Sequence, residues 1–321
     1  MREVAFLRKN MPKWEEFERL LHTNSKTSAD VLAELYIELT NDLAFAQSFY
    51  PDSKTTQYLN DLSIKAHNIL YKNRKEESKR IITFWTKELP ILFSTKQKEL
   101  LYAFIIFGIA FSIGILSAAK DNSFVRLVMG DQYVNMTIDN IENGDPLAVY
   151  KGDSESNMFM KITTNNIRVS FMVFITGLFT PFATGILLFQ NGIMLGSFLQ
   201  FFRQFGVIDQ AMLVVFIHGT LEISAIIIAG SAGIVLGNSF LFPGTYTRSR
   251  SFIKGSKEGL KMVIGLVPIF IIAGFLESFV TRYTEMPLFL SLGIIMSSLA
   301  FILYYFVILP NTIKAKNLTT S

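Results

Sequence analysis

Apolar residues recur along this chain in two patterns that divide near residue 98. Before it they stand three and four apart among charged residues, as in amphipathic helices packed on one another. "NMPKWEEFERLL" puts Trp14, Phe17 and Leu21 on one stripe, with Asn10 as a cap and Pro12 in the first turn. "SADVLAELYIELTNDLAFAQSFY" puts Leu32, Leu35, Leu39, Leu43 and Ala46 on another, capped by Ser28. Leu59, Leu62, Ala66 and Ile69 predict a third helix over 55–71. "KRIITFWTKELPILFSTKQKELL" sets Phe84, Trp85, Leu89 and Phe93 beside a basic flank, which predicts an interfacial helix on the cytoplasmic leaflet, bent at Pro90.

After residue 98 the pattern changes to long apolar runs, at about 99–119, 166–189, 210–238, 261–281 and 287–309. Each can cross a hydrocarbon core of ~30 Å. Between the second and third lies "NGIMLGSFLQFFRQF", short for a span, and its status decides the topology. Lysine and arginine crowd the first 98 residues, the stretch with Arg248, Arg250, Lys254, Lys257 and Lys261, and the tail with Lys314 and Lys316, which places all three in the cytoplasm. The stretch 120–165 is acidic, with Asp121, Asp131, Asp139, Glu142, Asp145, Asp153 and Glu155, and suits the outer side. An even number of crossings must then precede residue 242, so 191–206 crosses; a re-entrant hairpin is the alternative, which Arg203 near its outer end favours mildly.

The expected architecture is all-α: a polytopic helical membrane bundle of about six transmembrane helices over 99–321, following an N-terminal cytoplasmic helical domain over 1–98. An outer loop at 120–165 interrupts the bundle, and both termini face the cytoplasm of a cell inner membrane. Composition agrees: half of the 321 residues are hydrophobic, 30 are Phe and 17% are charged, with a mean hydropathy of +0.36. The charged opening stretch is no signal peptide, so the first span is expected to act as the insertion signal. The absence of cysteine excludes disulfides, thiolate nucleophiles and cysteine metal sites.

In "HGTLEISAIIIAGSAGIVLG", His218, Glu222, Ala225, Ala229, Gly233 and Gly237 follow one another at helical spacing. The ionisable pair heads a stripe of small residues that lets helices approach closely. With Ile223, Ile227 and Ile234 turned to lipid, His218 and Glu222 point into the bundle. By the same count Arg168, Asp209 and Glu277 lie at a similar depth, and one polar cluster of His218, Glu222, Glu277 and Arg168 results. It either fixes how the helices pack or lines a proton or ion path. A catalytic or metal role is disfavoured, because HxxxE lacks the second histidine and positioned base of HExxH, and His22 and His67 lie in the other domain. No cofactor is expected, nor any enzyme activity: no serine elbow, phosphate loop or carboxylate pair stands in a credible context. Asn191 and Gly192 read as the inner turn between the second and third spans, with Gly196 completing a small-xxx-small contact; "TNNIRV" reads as a cap entering the second span.

"NNIRVSFMVFITGLFTPFATGILLFQNGIMLGSF", "HGTLEISAIIIAGSAGIVLG" and "IAGFLESFVT" together resemble, in order and spacing, the core of the stage II sporulation protein M family of integral membrane proteins. The opening "MREVAFLRKNMPKWEEFERLL" and the loop "GDQYVNMTIDNIENGDPLAVYKGDSESNMFMKITTNN" are similar to the longer branch found outside spore formers. "GFLES" departs slightly, with leucine where a small residue is expected, but Glu277 itself matches. The resemblance implies a scaffold that recruits peptidoglycan-degrading partners in spore formers, and assigns no role to His218, Glu222 or Glu277. The resulting expectation is a non-enzymatic membrane scaffold for protein partners, which the resemblance makes cell-wall related, seated in the lipid bilayer and able to homo-oligomerise. The alternative is a transporter or channel with a polar path through His218, Glu222 and Glu277. Nucleic acid is not an expected partner, since no basic cluster carries interleaved aromatics.

Overall fold

The computed structural model describes residues 3–22, 29–70, 80–148, 154–282 and 286–319. Among them every regular element is helical, and the chain divides into two compact units, Met1–Arg80 and Ile81–Ser321.

The first unit holds α1 (Glu3–His22), α2 (Ala29–Phe49) and α3 (Lys54–Leu70). Each is amphipathic, and Phe6, Trp14, Phe17, Leu39, Ala46, Leu59, Leu62 and Ala66 interlock as its core. The core's one indole finds a partner, as a buried N–H must: Trp14 Nε1 donates to Asp42 Oδ2 at 2.9 Å, and Lys13 holds the same carboxylate at 3.1 Å. The Tyr58 hydroxyl donates to Glu18 at 3.2 Å; burial and that carboxylate push the phenol up to about 12. The first helix starts earlier than its sequence suggests. Pro12 lies inside α1, and Asn10 is no cap, because its amide donates to Phe6 O at 3.2 Å within the helix. The capping assignment of Ser28 and the end of the third helix at Tyr71 lie outside the described residues. Trp14→Phe keeps the packing and removes the bond to Asp42. We expect a cost of about 1 kcal/mol, seen as about fivefold faster amide exchange in α1 and α2 of the full chain.

The boundary falls at the first residue of α4 (Arg80–Thr83), and the second unit goes on through a π-helical turn at Phe84–Glu88 and α5 (Leu89–Thr95). Pro90 stands in the first turn of α5, directly after the π-helical turn, where its missing N–H costs the regular ladder least. Leu89 and Phe93 are fully buried on the bundle, with Phe93 edge-on to Phe306 at 4.9 Å. Lys261 pairs with Glu88 at 2.8 Å, Lys96 with Glu258 at 2.7 Å, and the Tyr305 hydroxyl donates to Trp85 O. Ile81, Ile82 and Ile91 stay exposed on the other side.

The bundle continues with α6 (Gln97–Lys120), the short α7 (Asn122–Met129) and α8 (Asp131–Glu142), then α9 (Glu155–Thr176), α10 (Pro181–Gln204), α11 (Ile208–Leu241), α12 (Arg248–Phe275), α13 (Leu288–Leu303) and α14 (Leu309–Thr319). A π-helical turn extends α12 to Val280, and another joins α13 to α14. Among the described residues five segments are long and apolar enough to cross a membrane: Gln97–Lys120, Pro181–Gln204, Ile208–Leu241, Arg248–Val280 and Leu288–Lys316. The α9 helix packs on α11 and α12 beside them but is polar in its first half.

Two boundaries differ from the hydropathy reading. The chain turns at 177–180, where Thr180 caps α10 by accepting from Ala183 N at 3.0 Å and Pro181 takes the first position. Asn191 and Gly192 therefore form no turn: they lie mid-helix in α10, whose second half runs from 191 to its end at Gln204 instead of forming a hairpin. The Asn191 amide donates to Leu187 O at 2.8 Å along the helix. Gly192 and Gly196 serve close packing, since a Cβ on either would come within 3.0 Å of the α6 backbone at Phe107 or Phe111. "TNNIRV" is likewise no cap, because α9 begins at Glu155 and carries those residues inside it.

Helix α11 is the axis of the bundle, touched by α6, α9, α10, α12 and α13. Surrounded in this way it is buried on every side from Ala225 to Gly237, so Ile227 and Ile234 are buried, with Ile223 half-buried, against the lipid-facing role expected of them. Gly233 and Gly237 let α9 and α10 close onto it. A Cβ at Gly233 would press on the Thr184 side chain and the Val173 carbonyl, and one at Gly237 on Pro181.

Candidate functional site

His218 and Glu222 stand one helical turn apart on α11, so both side chains leave the same face. Glu277 reaches them from the end of α12. There the helix widens into the π-helical turn Leu276–Val280, closed by Thr281 N donating to Leu276 O at 3.0 Å, while the Thr281 hydroxyl donates to Glu277 O. Single π turns re-aim side chains and concentrate at functional positions. His218 Nε2 lies 3.8 Å from Glu277 Oε1, and one ligating atom from each of the three residues falls within 4.8 Å of the others. His218 is buried and the two glutamates are half-buried.

Helix α9 supplies a fourth member. Asn166 is buried and its side-chain amide lies beside the Glu222 carboxylate. Arg168 does not join the cluster. Residues two apart on a helix point about 200° away from each other, so the placement of Asn166 against Glu222 leaves Arg168 on the exposed side of α9. Asp209 is also exposed, at the start of α11.

The three ionisable side chains line a cavity of about 380 Å³ together with Asn191. Val128 and Met129 of α7 and Tyr133 of α8 form part of its wall, so the short helices after α6 cover the site. A recess of about 440 Å³ shares Val128, Asn191 and Met194 with it and reaches Gln190. Toward the opposite end, Ala225, Ala229, Ala232 and Gly233 of α11 are fully buried among neighbouring helices. Two carboxylates this close repel each other in a low dielectric, and a shared cation or proton relieves that repulsion. From sequence alone Asn191 reads as a turn residue and Asn166 as part of a cap, and Tyr133 has no role at the site. Only the placement of "NN" and "QN" within apolar helices could have flagged the asparagines, since amides in a bilayer need partners.

A bundle of long apolar helices around an ionisable cluster defines an integral membrane protein. More narrowly, the chain belongs to the Stage II sporulation protein M family, whose model matches residues 103–282. A second model, described only as a domain of unknown function, matches residues 4–72. An uncharacterised protein of Methanocaldococcus jannaschii is 24% identical over 188 residues, covering 58% of this chain and 82% of its own length. No solved structure matches.

Proposed function

We propose that this membrane protein binds a small cation at His218, Glu222 and Glu277 and passes it through the bundle. The observation that carries the reading is that these side chains line a cavity with a lateral recess, where a purely structural cluster would be sealed into helix packing. The basic residues Arg248, Arg250, Lys254, Lys257 and Lys261, following α11, put that end of the helix in the cytoplasm of the cell inner membrane. With α9 taken as a sixth crossing beside the five apolar helices, its 22 residues being long enough to span, the cavity opens toward the outer side beneath α7 and α8, and both termini are cytoplasmic. The buried small residues below Glu222 keep the inner half closed, which calls for alternating access instead of an open pore.

The test is flux in vesicles. Full-length protein is reconstituted with a pH-sensitive dye or a dye sensitive to divalent cations trapped inside, and a membrane potential is applied. Wild type should carry one of the two; Glu222→Gln should lose at least tenfold in rate while its melting profile is retained. A Glu222→Gln protein that conducts like wild type defeats the proposal, as does a wild type that moves neither.

A non-enzymatic scaffold is the second reading, favoured by a separate observation. The unit Met1–Arg80 has its own core yet leaves Val31, Ile37, Phe49 and Ile64 exposed, side chains that the scaffold reading assigns to a protein partner of the cell envelope or a second copy of this chain. A scaffold tolerates Glu222→Gln, or loses assembly and stability together.

A further inference from the structure

We infer that the cation is a divalent first-row transition metal, held by His218, Glu222 and Glu277; this rests on the cation-handling reading of the same site. Three observations lead there. The first is the ligand set. One imidazole and two carboxylates are an N,O,O donor group of the kind that zinc and its neighbours take, whereas magnesium, calcium and the alkali ions bind oxygen and gain little from imidazole.

The second is distance. Two ligand atoms each about 2.1 Å from one ion are at most about 4.2 Å apart. The 3.8 Å between His218 Nε2 and Glu277 Oε1 already meets that limit. The widest separation in the trio, bounded at 4.8 Å, closes with a shift of about half an ångström, within reach of a carboxylate rotation. The cluster is thus preformed on two helices and needs no backbone movement.

The third is charge. Neutral imidazole, two carboxylates and a divalent ion sum to zero, the state that a low-dielectric site tolerates best, while a monovalent ion leaves one negative charge uncompensated. Asn166 completes the arrangement. Its amide lies beside Glu222, where groups around a metal commonly steady the ligands themselves. The remaining coordination positions face the cavity, where water or an incoming ligand has room beside Asn191 and Tyr133.

The experiment is equilibrium binding to the full-length protein, purified in detergent without a histidine tag and stripped with chelator. Cobalt is the probe because its visible absorption reports coordination directly; metal content after desalting gives the stoichiometry. The expected result is one cobalt per chain, displaced by zinc but not by millimolar magnesium or calcium. Glu222→Gln and Glu277→Gln should each weaken binding at least tenfold, and Asn166→Ala by a smaller factor. A wild-type chain that holds neither cobalt nor zinc at tens of micromolar overturns the inference. So does binding that both glutamine variants keep, which would place the metal elsewhere, or equal displacement by magnesium. Its failure is separable from failure of the transport reading: proton flux lost in Glu222→Gln without any metal bound sinks the metal alone, and metal bound without flux of either cation sinks transport alone.

Discussion

Gly233→Val should leave almost no folded protein. At this position α9, α10 and α11 meet with backbones nearly touching: a Cβ would stand within 3.0 Å of the Thr184 side chain and the Val173 carbonyl oxygen. Thr184 cannot swing aside freely, because its hydroxyl donates to that same carbonyl at 3.3 Å. Nor can the carbonyl, which belongs to α9 and also accepts from the Thr176 hydroxyl at 2.8 Å. The added side chain must push α9 or α10 off the central helix and open the packing next to the 177–180 turn. Overpacking of ordinary cores costs about 1–3 kcal/mol, and a backbone clash at a three-helix junction belongs at or above the top of that range. The check is the melting temperature and the monodisperse yield of the full chain in detergent. Gly108→Ala and Gly293→Ala are the controls: nothing lies within 4 Å of a Cβ at either position, so these should fold normally. A Gly233→Val protein that melts with the controls would refute this junction.

Part of that junction was legible in the sequence and part was not. The run of small residues on "HGTLEISAIIIAGSAGIVLG" announced close approach on one face. Which faces are buried depends on how many neighbours a helix has, and a pattern on one helix cannot count them. The isoleucines at 227 and 234 therefore looked like lipid contacts and are core. The boundary between α9 and α10 was written plainly as Thr180 before Pro181, a cap and a first-turn proline. Hydropathy runs straight across it, and the Asn-Gly pair at 191–192 offered a competing turn signal. Inside a bilayer that pair meets other needs: the amide bonds the helix's own carbonyl and lines the cavity, and the glycine admits α6.

The site divides in the same way. A four-residue spacing is enough to put His218 and Glu222 on one face, so this half was visible without coordinates. Depth counting brought Glu277 near, but depth is one coordinate out of three. It brought Arg168 equally near, and helix rotation sends that side chain away and presents Asn166 in its place. Spacing motifs such as HExxH register ligands on one helix; a third ligand arriving from α12 through a π-helical turn leaves no such trace.

Removing both carboxylates should make the protein more stable while disabling it. Ligand atoms of Glu222 and Glu277 lie within 4.8 Å of each other beside a buried histidine, and burial costs each carboxylate part of its hydration, with only the Asn166 amide beside Glu222 to offset it. The double variant Glu222→Gln, Glu277→Gln keeps the shape and the hydrogen-bonding capacity and deletes the repulsion. Replacing a buried ion pair by apolar groups of similar volume is often neutral or gains about 1–4 kcal/mol; for two like charges, whose mutual repulsion adds to the desolvation cost, we expect a gain of about 2 kcal/mol, read as a melting temperature several degrees higher in metal-free detergent solution. Were the cluster there to fix the packing of α9, α11 and α12, the same change would loosen the bundle and lower the melting temperature. A protein retains destabilising groups against one another when their chemistry is needed, and active sites commonly show that trade of stability for function. The sign of the shift thus separates a working site from a structural one without knowledge of what the site handles. Added zinc or cobalt sharpens the distinction: it should raise the melting temperature of the wild type past that of the double variant, and leave the double variant where it was.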